Sequence, residues 1–312
     1  GYVDDVQGWD FLDNNNNPRP KIKTGFTEGA VVHGTIVAGA AGAIGNNEIG
    51  SSGVAWDVSL MPLRALDHTG SGITTDVVTA IEYAVANGAD IINLSFVAVE
   101  NDWRLFEAVE HAYNNNVAVV AAAGNENDDH TTTDLSLTPH FPICYSGNKG
   151  ENYVVGVAGI NEDETKGRYS NFGSDCIDIS APGTRIPTTS YFQPAFEDFR
   201  KQYTDAWSGT SLATPLVSGS LALLKSVRPD IPMNSLVEVL LSTTEDINFE
   251  NPEYIGKLGS GRLSIGSALS VVTDTKVISP VIPSTTNEAL YTLTRVDDVT
   301  SQYKVWDIAG IE

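Results

Sequence analysis

The chain has 312 residues, 41% of them apolar, and carries 40 acidic against 18 basic side chains, a net charge of −22. That length can bury a full core in one large α/β domain or two smaller ones. The charge argues against a nucleic-acid or anionic-membrane partner, no run of about 18 apolar residues predicts a membrane span, and no signal-peptide pattern opens the sequence.

Gly8 to Pro18 predicts a short strand running into a polar loop, with Asp10, Asp13, Asn15 and Asn17 as oxygen-bearing side chains. Such a loop can hold Ca²⁺, and an Asn-rich turn has the same composition. Val31 to Ala40 predicts a buried helix in which small residues follow His33 and allow close packing. Gly45 to Gly50 reads as a loop and Val58 to Arg64 as a strand. Thr74 to Asn87 is helical in pattern: Val77, Val78, Ile81, Ala84 and Val85 mark one face, and Gly88 follows as a stop. Ile91 to Phe96 predicts a buried strand, Asp102 to Asn114 a helix, and Val117 to Ala122 and Tyr153 to Ala158 two more strands. Near-continuous apolar strands alternating with helices predict a mostly parallel sheet with helices on both faces.

Ser211 lies in Gly209-Thr210-Ser211-Leu212-Ala213-Thr214-Pro215, ahead of an apolar run that reads as a buried helix ending before Arg228-Pro229. Ser211 then sits at a helix start, where free N–H groups and the dipole favour developing negative charge. Pro215 falls in the first turn, where a missing N–H has no partner to lose. A Ser at this position is most often an ordinary cap. Asn125, closing Ala121-Ala122-Ala123-Gly124-Asn125, lies at the carboxyl end of a parallel strand, where open α/β sheets bind ligands. Its amide can donate to an oxyanion. Cys144 and Cys176 are too few for a disulfide scaffold and lack metal-site spacing.

Three segments, in order, carry a resemblance. His33-Gly34-Thr35-Ile36-Val37-Ala38-Gly39, Ala122-Ala123-Gly124-Asn125 and the Ser211 segment are similar to the histidine, asparagine and serine motifs of the subtilisin-like serine proteases, the subtilases. Gly8-Trp9-Asp10-Phe11, Tyr169 to Gly173, Ala181-Pro182-Gly183 and Gly259 to Leu263 extend the resemblance from about Gly8 to Val272. It implies a subtilisin-like three-layer α/β fold over residues 1–273, followed by a linker at 274–287 and, at 288–312, the start of a C-terminal module. It implies a secreted serine endopeptidase cleaving protein or peptide substrates, with Ser211 as nucleophile, His33 as general base and Asn125 in the oxyanion hole. Ser95, Phe96, Val97, Ala123 and Gly124 are the implied substrate-binding residues. Subtilases usually follow this Ser with Gly, so Val97 leaves less room and favours a small or apolar substrate residue. Asp10, Asp13 and Asn15 are the implied ligands of a structural Ca²⁺. No organic cofactor is implied, and an N-terminal propeptide would lie outside this chain. Secretion favours a Cys144–Cys176 bridge, with two buried thiols as the alternative.

The base also needs a carboxylate to orient it. The family pattern puts one in an Asp-Thr-Gly or Asp-Ser-Gly turn ahead of the Gly-Trp-Asp-Phe segment, and no such turn is present. Asp4, Asp5 and Asp10 do not match. The expectation is therefore a carboxylate upstream of Gly1, in a longer precursor of which this chain is a fragment. A peptide-binding pseudoenzyme is the alternative reading. An α/β-hydrolase esterase needs Gly-x-Ser-x-Gly, which Ala213 breaks.

Overall fold

Strands buried on both faces of a sheet must be apolar at nearly every position. The computed structural model, which describes residues 2–126, 130–147, 150–273 and the strand at 303–309, contains three such strands. They are β3 (Ile91–Ser95), β4 (Ala118–Ala122) and β5 (Val155–Ile160), and every residue in them is buried. The other strands are β1 (Trp9–Asp10), β2 (Val58–Arg64), β6 (Ile179–Pro182), β7 (Ile186–Thr189), β8 (Tyr203–Trp207) and β9 (Tyr303–Ala309). The helices are α1 (Glu28–Gly42), α2 (Thr74–Ala86), α3 (Trp103–Asn114), α4 (Thr210–Val227), α5 (Met233–Ser242) and α6 (Ile265–Thr273). Seven strands form one sheet in the order β1-β2-β9-β3-β4-β5-β6, with every pairing parallel. β7 and β8 make a separate antiparallel pair.

The sheet is covered on both sides, as the sequence predicts. On one face Ile92 and Leu94 of β3 pack with Ile81 of α2 and Val109 of α3. On the other, Ile91, Val120 and Val157 pack with Val217 and Leu221 of α4, and α5 and α6 join that layer through Leu236 and Ala268. α1 lies beside α4. A Cβ built on Gly219 of α4 would stand 2.8 Å from the Ala41 carbonyl oxygen, so this close approach of two helices needs the glycine. From the other side, the Thr188 and Thr189 hydroxyls donate to the carbonyls of Ile36 and Thr35 at 2.8 and 2.9 Å, tying the middle of α1 to β7.

Of the two alternatives for the cysteines, the bridge is present. Cys144–Cys176 spans 32 positions and ties the segment before β5 to the segment before β6. The expected linker at 274–287 lies outside the described residues. Of residues 288–312 only β9 is described, and it pairs inside the main sheet, between β2 and β3. The antiparallel pair, α5 and α6 were not foreseen: each is short, and none has a long periodic pattern.

Candidate active site

α4 starts abruptly. Gly209 is its N-cap and supplies no side-chain bond, so the first-turn N–H groups depend on other partners. The Thr210 N–H donates to Asn125 Oδ1 at 2.9 Å, and the Leu212 N–H donates to the Gly209 carbonyl at 3.0 Å. The Ser211 N–H stands between them at the positive end of the helix. Ser211 is the second residue of α4, so the expected helix-start placement holds.

Pro215 has a different role from the one its motif position predicts. It is the sixth residue of α4, not part of the first turn. Its missing N–H would have bonded the Ser211 carbonyl, four residues back. The Ser95 hydroxyl takes that place, donating to the Ser211 carbonyl at 3.1 Å. In return the Ser211 hydroxyl donates to the Ser95 carbonyl at 3.2 Å. Asn93 Nδ2 donates to the Ser95 hydroxyl at 2.9 Å, and Asn93 Oδ1 accepts from Ser218 at 2.8 Å, so the carboxyl end of β3 is bolted to α4.

Asn125 follows the end of β4. Its Oδ1 accepts from both the Thr210 N–H and, at 3.1 Å, the Thr210 hydroxyl. The planar amide then turns Nδ2 away from Thr210. A Cβ on Gly209 would lie 3.4 Å from Nδ2, so the glycine leaves room beside the donor. Asn171 props the approach to Asn125: its Nδ2 donates to the Ala123 carbonyl at 3.0 Å and its N–H to the Gly124 carbonyl at 3.1 Å.

His33 lies in the second turn of α1, whose N-cap Thr27 accepts from the Ala30 N–H. The residue is 6% exposed, and its buried Nδ1 has no hydrogen-bond partner among the described residues. Burial pushes the imidazole down to about 4, so it is neutral and able to accept a proton at pH 7. His33, Ser211, Asn125, Ser95, Phe96, Val97 and Gly124 all line one cleft of about 250 Å³. Among the described residues lining it, His33 is the one ionisable group.

The pattern of the subtilase family matches residues 3–263. The chain belongs to the subtilase family. It is similar to thermitase of Thermoactinomyces vulgaris, with 35% identity over 225 residues, covering 71% of this chain and 67% of thermitase. It is similar to halolysin of Haloferax mediterranei, with 36% identity over 85% of this chain and 44% of halolysin. A thermophilic serine proteinase of Bacillus sp. strain AK1 is 36% identical over 75% of this chain and 50% of the relative. The match thus spans two thirds of thermitase but about half the length of the other two. A solved protease structure from Pseudoalteromonas arctica has the same fold, with a TM-score of 0.67 at 24% identity over 88% of each chain.

Two expectations for this subtilase need correction. Ala123 is fully buried and does not line the cleft: its N–H donates to Val157 and its carbonyl is held by Asn171. It supports Gly124 and Asn125 from behind. The calcium ligands are also differently engaged. Asp10 is fully buried, with Arg64 Nη1 at 2.9 and 2.8 Å from its two oxygens and Lys21 Nζ at 3.6 Å. Asp13 lies 3.5 Å from Arg64 and 3.4 Å from Lys23, and Asn15 Oδ1 accepts from the Asn17 N–H. The carboxylates already face basic side chains, so this donor set does not fit a calcium ion. Among the described residues no cluster of three or more His, Cys, Asp or Glu side chains can hold a metal.

The role of Thr210 was not read from the sequence, although it lies within the serine motif. The amide atom it binds is decided by a fold contact between residues 85 positions apart. Asn171 carried a signal in its Ser-Asn-Phe-Gly segment, but the motif says nothing of which carbonyl it supports.

Proposed function

We propose that this subtilase is a serine endopeptidase acting on protein or peptide substrates outside the cell. The observation that carries the reading is the convergence of Ser211, His33 and Asn125 on one cleft at the amino end of α4. A substrate carbonyl entering there meets the Ser211 hydroxyl. That hydroxyl leaves the Ser95 carbonyl and passes its proton to Nε2 of His33 as Oγ attacks the carbonyl carbon. The oxyanion is held by Asn125 Nδ2 and the Ser211 N–H. The imidazolium returns the proton to the leaving amine, forming an acyl-enzyme. Water then repeats the sequence and restores Ser211. Ser95 to Val97 and Gly124 hold the acyl side of the substrate, and Val97 favours a small or apolar residue there. The Cys144–Cys176 bridge supports an oxidising, extracellular location. An N-terminal propeptide cleared during maturation belongs to the same reading.

A fluorophosphonate probe tests the assignment. The parent protein is expected to be labelled once and to hydrolyse casein; Ser211→Ala is expected to do neither. Labelling that persists in the variant would remove Ser211 from its role. A parent that binds peptides but takes no label would favour a pseudoenzyme, a reading supported by His33 Nδ1, which has no hydrogen-bond partner among the described residues.

A further inference from the structure

The support beneath Asn125 continues past Asn171 to a cation. Asn171 is fully buried, and its N–H donates to the Gly124 carbonyl at 3.1 Å. That N–H shares a peptide group with the Ser170 carbonyl, to which the Lys166 ammonium donates at 2.7 Å. The Gly124 carbonyl in turn shares a peptide group with the Asn125 N–H. Two hydrogen bonds and two peptide units thus join the Lys166 charge to the backbone of the oxyanion donor. A charged donor makes the stronger kind of hydrogen bond, and bonds in such a chain polarise one another. The Ser170 hydroxyl fixes the same unit, donating to the Asn171 carbonyl at 2.8 Å and accepting from the Gly159 N–H of β5 at 3.0 Å.

The segment between β5 and β6 places Lys166 for this. Its own N–H donates to Asn251 Oδ1 at 2.6 Å, and its ammonium also donates to the Gly167 carbonyl at 3.0 Å. The ammonium stands 5.6 Å from the ring centre of Phe172 and 5.1 Å from that of Tyr254, and ring faces attract a cation. Burial pushes Lys166 down to about 8, and the Glu126 carboxylate acts in the opposite direction. Glu126 directly follows Asn125. Its Oε2 is buried with no hydrogen-bond partner among the described residues, and its Oε1 lies 3.5 Å from His130 Nδ1. A carboxylate beside the oxyanion hole opposes the negative charge that forms there. The other described charges around Lys166 are paired. Lys257, which also faces the Phe172 ring, meets Asp134 at 2.6 Å, and Arg262 lies 2.8 Å from Glu164 of the same turn.

We propose that Lys166 is a positioning cation of the oxyanion hole, holding Asn125 through the Ser170–Asn171 peptide and offsetting the charge of Glu126. This rests on the peptidase reading above. Lys166 touches neither substrate nor Ser211. Its charge strengthens the Asn171 bond to the Gly124 carbonyl, which keeps the Asn125 backbone in place while Thr210 sets the direction of its amide. The same charge counters Glu126 at the moment the oxyanion forms, so it lowers the barrier to the chemical step and leaves substrate binding alone. Loss of the ammonium proton as the pH rises through about 8 removes both effects. An alkaline fall in kcat is therefore built into the support of the site and does not involve His33.

The test measures kcat and KM of the full 312-residue chain, Lys166→Met and Lys166→Arg across pH with a peptide substrate, counting active sites with the fluorophosphonate probe. At neutral pH Lys166→Met is expected to lower kcat by about 10-fold with KM little changed, less than the 10²–10³ that loss of the oxyanion donor itself costs. The parent kcat is expected to fall as the pH rises through about 8 and to approach that of the Met variant, whose own profile lacks this fall. Arginine stays charged throughout, so Lys166→Arg is expected to keep most of the parent kcat and to extend it into alkaline pH. Both variants retain Tyr254 and Lys257, which separates Lys166 from these neighbours, and the Arg profile alone decides if the Met variant does not fold. A purely structural role would lower kcat by the same factor at every pH. An active parent with no fall near pH 8, or a fall that the variants keep, would overturn the role of Lys166 alone. A parent that takes no fluorophosphonate label would overturn the peptidase reading and this assignment with it.

Discussion

Thr210 makes Asn125 a directional group. An amide can present either end to a substrate, and only the Nδ2 end stabilises an oxyanion. Two donors from Thr210, at 2.9 and 3.1 Å, hold Oδ1 and settle the choice. Asn125→Ala is expected to lower kcat by about 10²–10³ with little change in KM, the scale found for an oxyanion donor in subtilisin. Thr210→Val removes the hydroxyl bond but keeps the N–H bond, and one neutral hydrogen bond is worth about 0.5–1.5 kcal/mol. The expected loss in kcat is therefore roughly 2- to 10-fold, again at constant KM. Steady-state kinetics on the two variants checks the pair; a Thr210→Val loss as large as that of Asn125→Ala, or a change confined to KM, would contradict the positioning role. That Ser211, His33 and Asn125 would meet at one cleft was legible because each sits in a short motif next to a strand or near a helix start. Thr210, Asn171 and the reciprocal Ser95–Ser211 bonds were not, because they depend on which distant strand end meets which helix. Pro215 shows the same gap. Its consequence follows from where α4 begins, and a shift of a few residues turns a harmless first-turn proline into the reason Ser95 is needed.

At the scale of elements, the amino-terminal loop is held by a buried ion pair. β1 pairs with the carboxyl end of β2, which places Asp10 opposite Arg64. Asp10 also accepts the N–H groups of Leu12 and Asp13, so its carboxylate shapes the turn that follows the strand. The Arg64 side chain is 10% exposed and that of Asp10 is fully buried. Removing one partner of such a pair leaves the other charge stranded, at a cost of about 3–5 kcal/mol. Arg64→Leu is expected to lower unfolding stability by that amount in urea titrations, with Lys21 at 3.6 Å offsetting part of the loss. Arg64→Leu combined with Asp10→Leu is expected to recover much of it, because no charge is then left buried. A single variant as stable as the parent would show that the pair does not hold the loop. The sequence displayed the acidic loop but not its partner, which arrives from 54 positions away. The same limit governs the sheet. α2, α3, β3 and β4 were legible from their periodicity, whereas the slot taken by β9 was not, since parallel pairing has no local signature.

At the scale of the whole molecule, charge sets both stability and substrate encounter. Forty acidic side chains oppose 18 basic ones, so most carboxylates have no cationic partner and repel one another through solvent. Salt screens that repulsion: the Debye length falls from about 30 Å at 0.01 M to 3 Å at 1 M. Buried contacts such as Arg64–Asp10 are screened far less. Thermal unfolding of the inactive Ser211→Ala protein is therefore expected to shift upward with added NaCl, by roughly 2–4 °C for each 1 kcal/mol of repulsion removed. The same field acts on substrates, because an acidic protein concentrates cationic peptides near its surface and repels anionic ones. For two peptides that differ only in flanking Lys or Glu residues, kcat/KM of the Lys peptide is expected to fall with rising salt and that of the Glu peptide to rise. The cleft itself contributes little to this difference, since its one described ionisable lining residue, His33, is neutral at pH 7. The effect should thus appear at low substrate concentration, where encounter matters, and leave kcat unchanged for both peptides. Salt responses of the same sign for the two peptides would mean that encounter is not steered by the net charge.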